Sequence, residues 1–115
     1  MKKKCLNNFT GGWFLGDFEP TLLSNAAFEV SVKYYRKGDN EPSHYHKLAT
    51  EWTVITAGEV EMNGLRYSPG DIIEVAPGEI TQFTAITDAT TTVVKVPSIK
   101  GDKYIFDQST CDQKP

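Results

Sequence analysis

The chain has 115 residues, with 12 basic and 15 acidic side chains and a net charge of −3. That length builds one core and not two. The near-balanced charge leaves no general footprint for nucleic acid, and no apolar run has the length of a membrane span or the make-up of a secretory leader. The reading is a single cytoplasmic domain over residues 1–115 whose partner is a small molecule, with no nucleic acid and no membrane.

Residues 1–26 read as an N-terminal arm. Lys2-Lys3-Lys4 is a solvated tail, followed by Phe9, Trp13, Phe14 and Phe18 around Gly11-Gly12, aromatic enough to wrap the barrel or a partner subunit. Cys5 and Cys111, near the two ends, allow one disulfide at most and are read as free thiols with no catalytic part. From residue 27 the chain breaks into short strands with turn signals every 8–12 residues or so, the pattern of an all-β barrel or sandwich. In Ala27 to Tyr35, apolar Phe28, Val30 and Val32 alternate with Glu29, Ser31 and Lys33, as in a half-buried strand.

After Gly38 and Pro42 comes His44-Tyr45-His46, which holds both histidines of the chain. Positions i and i+2 of a strand share a face, so both imidazoles can reach one ion while Tyr45 points away. Glu51 to Thr56 is β-branched and aromatic and reads as the next strand. Thr53 and Ile55 share the face of Glu51 and should line the interior. Trp52 and Val54 take the other face, where Trp52 needs cover from the arm or from a second subunit. A homodimer is expected on that ground.

Asn63-Gly64 between Gly58–Met62 and Leu65–Tyr67 predicts a two-residue type I′ hairpin. Its register sets Met62 against Leu65, Glu61 against Arg66 and Val60 against Tyr67, with the four apolar members on the inner face. Turns at Pro69-Gly70-Asp71 and Pro77-Gly78 delimit strands over 72–75 and 82–86. A last strong strand covers 90–96 and closes at Pro97. Tyr104 to Gln108 makes at most a turn, within a tail over 98–115 that follows a core at about 27–97.

Gly38, His44, His46, Glu51 and Gly58 match the pattern G-x5-H-x-H-x4-E-x6-G at every named position, so the segment resembles the first motif of the cupin family. Tyr67 to Gly78 resembles that family's second motif. The resemblance implies a jelly-roll barrel of the double-stranded β-helix, RmlC-like type, with a divalent transition metal (iron, manganese, nickel or zinc) on His44, His46 and Glu51. Two imidazoles and one carboxylate suit such ions and leave coordination positions open. The second motif of the family carries a further histidine, and Thr81 stands at that place here. A neutral hydroxyl does not replace an imidazole. Gln82 turns to the opposite face unless a bulge intervenes.

Tyr34, Thr53, Met62, Tyr67, Thr81 and Phe83 are the candidate pocket walls, with ordinary core packing as the competing role. Arg36 and Lys95 are candidates for holding an anionic substrate, or simply belong to a solvated strand face. Three functions follow. One is a metal-dependent enzyme acting on a small sugar-like or acidic substrate. Another is a non-catalytic sugar- or small-ligand-binding module with a degenerate metal site. The third is isomerase or epimerase chemistry without metal, using a histidine, Glu51 and an inward tyrosine.

Overall fold

Positive φ at both Asn63 (52°) and Gly64 (81°) closes the hairpin as its sequence requires. The computed structural model describes residues 1–106. Within them lie ten strands: β1 Trp13–Leu15, β2 Glu29–Tyr35, β3 Asn40–His46, β4 Thr50–Ala57, β5 Val60–Met62, β6 Leu65–Tyr67, β7 Ile72–Val75, β8 Thr81–Ala85, β9 Ala89–Val96 and β10 Lys103–Ile105. They form two five-stranded antiparallel sheets, in the orders β1-β2-β9-β4-β7 and β10-β3-β8-β5-β6. The all-β class and the barrel-like, two-sheet architecture follow the expectation. Cys111 and residues 107–108 of the expected C-terminal turn lie outside the described residues. Tyr104 and Ile105 are not in a turn: with Lys103 they pair with His46, Tyr45 and His44 as β10.

The hairpin register is Val60 to Tyr67, Glu61 to Arg66 and Met62 to Leu65, as the turn dictates. One inward assignment is corrected. Leu65 is 62% exposed, because β6 is the outermost strand of its sheet and has no layer above that position. Ile55, Val60, Met62, Phe83, Ala85 and Ala89 make the apolar core, with Tyr35, Tyr67 and Ile73 packed against it.

In β2 the period of two is present, but the polar set faces inward. Ser31 is fully buried, while Lys33 and Tyr35 point into the space between the sheets. Val30 and Val32 take the other face, where β1 pairs alongside, Trp13 opposite Ser31 and Leu15 opposite Val30. Strand β9 follows the same logic: Ala89, Thr91, Val93 and Lys95 alternate inward. One end of the barrel is thus closed by aliphatic and aromatic side chains, and the other is lined by charged and hydroxyl groups.

Candidate functional site

The polar end is a cavity of about 90 Å³. His44 and His46 enter it from β3 and are both buried. A register shift between Glu41 and His44 bulges the strand there and brings the His44 Nδ1 within 3.0 Å of the Pro42 carbonyl. A carbonyl only accepts, so Nδ1 carries the proton and Nε2 of a neutral His44 is bare. Thr81 on β8 sits directly opposite His44, buried, in the place where the resemblance expects an imidazole.

Glu51 reaches the cavity from β4, and its Oε2 accepts the Thr53 hydroxyl at 3.0 Å. Across the ladder from Glu51 is Lys95, whose Nζ lies 3.0 Å from Nε2 of His46. An ammonium only donates, so this bond occupies the His46 lone pair and requires a neutral ring. Burial first, and then the charges of Lys95 and His44, push the His46 pKa down to about 4.

The sign of the resulting pH dependence is fixed. Between about 6.5 and about 4 the unfolded chain takes up a proton that the folded chain refuses, so stability falls as pH drops through that window. The loss is on the order of 3 kcal/mol. Urea unfolding at pH 7 and pH 4.5 should show a smaller drop for His46→Gln than for the native protein; equal drops would refute the assignment.

His44, His46 and Glu51 therefore line one cavity, but they do not converge on one point. Among the described residues no three His, Cys, Asp or Glu side chains are placed to hold a metal ion. As arranged, the set does not fit a divalent cation: an ammonium occupies one donor atom and adds like charge beside it.

Thr53, Met62, Thr81 and Phe83 line the cavity, the apolar pair forming its floor. Tyr34 does not. It is 70% exposed, because it shares the face of Val30 and Val32; its neighbour Tyr35 is the inward one. Tyr67 packs on the apolar core instead of the cavity. Lys33, Tyr35, Glu41, Thr91 and Lys103 complete the walls, with Trp13 from β1. Strand parity was the signal for Lys33, Tyr35 and Thr91: 31, 33 and 35 on β2 and 89, 91, 93 and 95 on β9 share faces. The Tyr35 hydroxyl donates to Glu41 Oε1 at 2.8 Å, and burial together with that carboxylate raises its pKa. Lys33 is pulled below the usual lysine range, by burial first, with Lys103 and Lys95 adding to the effect against Glu41.

One buried carboxylate holds the histidine strand from behind. Asp102 accepts the backbone N–H of Lys47 at 3.0 Å, of Leu48 at 3.2 Å and of Ala49 at 3.0 Å. Burial raises its pKa, but these three donors outweigh it and leave the carboxyl below its usual range. The turn following His46 is thereby pinned to the segment that leads into β10.

No family model matches the chain, and no curated protein matches it. Solved structures do. A conserved protein with a double-stranded β-helix domain from Klebsiella pneumoniae is similar at 22% identity over 75% of this chain and 80% of that one, with a TM-score of 0.66. An RmlC-like cupin from Shewanella frigidimarina is similar at 19% identity over 66% and 71%, TM-score 0.61. A DMSP lyase, DddQ from Ruegeria pomeroyi, is similar at 22% identity over 76% of this chain but 47% of its own, TM-score 0.65. At these identities the likeness is one of fold, and the fold is the cupin-type double-stranded β-helix.

Proposed function

We propose that this cupin-type barrel is a small-ligand-binding module whose cavity works without a metal ion, the ammonium of Lys95 occupying the His46 donor atom that the family resemblance gives to one. The observation that carries this reading is the 3.0 Å contact between Lys95 Nζ and His46 Nε2. It takes up the lone pair that a metal would need. The histidines then serve as polar walls, His46 as an acceptor and His44 with a bare Nε2 able to accept from a ligand hydroxyl.

Metal binding through His44, His46 and Glu51 is the competing reading. It is favoured by the bare Nε2 of His44 and by the presence of all three residues in one cavity, and it requires Lys95 to swing away from His46. Elemental analysis of the isolated protein decides between the two, followed by thermal unfolding with manganese, iron, nickel and zinc under reducing conditions. Metal far below stoichiometric and little change in Tm are expected, since an ion bound only to the native state must raise Tm. Near-stoichiometric metal that disappears in His44→Ala would overturn the proposal.

A further inference from the structure

Three lysines, Lys33, Lys95 and Lys103, line the cavity with only two carboxylates, Glu41 and Glu51. Among the described residues the one ion pair is Lys100 with Asp17, at the surface, so none of the cavity lysines is paired. Each carboxylate is instead engaged by a hydroxyl: Glu41 by Tyr35 at 2.8 Å and Glu51 by Thr53 at 3.0 Å. Lys33 and Lys95 converge on one indole, their Nζ atoms 5.2 and 4.9 Å from the Trp13 ring centroid. The ring face attracts both cations but cannot cancel two like charges brought into one partly desolvated space.

A further observation points into the same cavity. Thr91, 1% exposed and part of the wall, has a hydroxyl that meets no partner at good hydrogen-bond geometry, its one polar neighbour being the Tyr35 hydroxyl, which already donates to Glu41. The large majority of buried side-chain polar atoms are well hydrogen-bonded, so a poorly satisfied hydroxyl beside unpaired ammoniums fits a place where a ligand acceptor belongs. The cavity, about 90 Å³, has room for several waters and therefore for one oxyanion group.

We infer that the cavity binds the oxyanion group of a small molecule, a carboxylate or a phosphate, between the ammoniums of Lys33 and Lys95 beside Trp13, with the Thr91 hydroxyl as a neutral donor. This rests on the small-ligand reading above and names its ligand class. Charge-assisted hydrogen bonds from two ammoniums are roughly twice as strong as neutral ones, so the lysines, and not the histidines, should set affinity.

The test is a calorimetric titration of the native protein, Lys33→Gln, Lys95→Gln and the exposed Lys37→Gln with inorganic phosphate, succinate and glucose at constant ionic strength. Circular dichroism confirms that each variant is folded, and Thr91→Val gives a second, uncharged probe of the same site. One of the two anions should bind saturably to the native protein and to Lys37→Gln, and at least about tenfold more weakly to Lys33→Gln and Lys95→Gln. Tighter phosphate than succinate assigns a phosphate ligand, and the reverse order a carboxylate. If neither anion binds, or if both lysine variants bind as the native protein does, the inference is wrong. Glucose binding without anion binding would overturn the anion class and leave the small-ligand reading standing. Metal binding that depends on His44 would remove that reading itself.

Discussion

Replacing Asp102 with alanine is expected to cost about 2–4 kcal/mol of stability and to lower Tm by on the order of 10 °C. Its carboxylate takes the N–H groups of Lys47, Leu48 and Ala49, and its removal leaves those donors facing a small void in a buried corner. The effect should reach the cavity, because those residues directly follow His46 on the chain; ligand affinity should fall although Asp102 itself does not line the site. Asp102→Asn keeps the shape and loses the charge, so it should recover part of the stability. The pH behaviour identifies the cause. A carboxyl whose folded pKa is depressed stabilises the protein above the ordinary carboxylate range, about 3.9, and loses that contribution as pH falls through the folded value. Urea unfolding at pH 7 and pH 3 should therefore show Asp102→Ala closer to the native protein at the lower pH; a constant gap would refute the mechanism.

That latch illustrates what the sequence conceals. Asp102 and its donors are separated by more than fifty positions, and an isolated Asp among Gly101 and Lys103 has no periodicity to expose it. The Asn63-Gly64 hairpin was legible to the residue because a two-residue turn fixes register locally. The histidine frame was legible because its spacing is strict. The face of β2 was not legible, because an apolar-in rule is calibrated on cores. Here the interior at that height is a polar cavity, and the apolar face of β2 lies beside the arm. The same inversion hid Lys33 and left Lys95 ambiguous between a solvated face and a binding role. The same inversion puts Tyr35, and not Tyr34, in the cavity.

The two glycines that frame the histidine motif should respond very differently to alanine. Gly38 (φ 89°) and Gly58 (φ 79°) both occupy the left-handed region that L-residues avoid, which alone costs roughly 1–2 kcal/mol. At Gly38 an added Cβ meets nothing within 4 Å. At Gly58 it would lie 2.0 Å from the Asp88 carbonyl oxygen and 2.8 Å from the Ala89 Cα, backbone atoms that cannot swing aside. Gly58→Ala is thus expected to cost about 3–5 kcal/mol in total, against about 1 kcal/mol for Gly38→Ala. Chemical denaturation of the two variants measures the difference. Equal losses would mean that the 58–89 contact yields, and that only backbone conformation limits these positions.

The strand lengths carry a consequence for association. Both sheets end on short members: β1 with three residues and β7 with four on one, β10 and β6 with three each on the other. The seven- and eight-residue strands all lie inside. Long unpaired rims are where foreign chains add on, and clipping them to three or four residues denies a template for such growth. The arm and the C-terminal segment that supply β1 and β10 therefore act as selvedges on the fabric of the barrel. A second copy of this chain would find only three- or four-residue rims along which to continue either sheet.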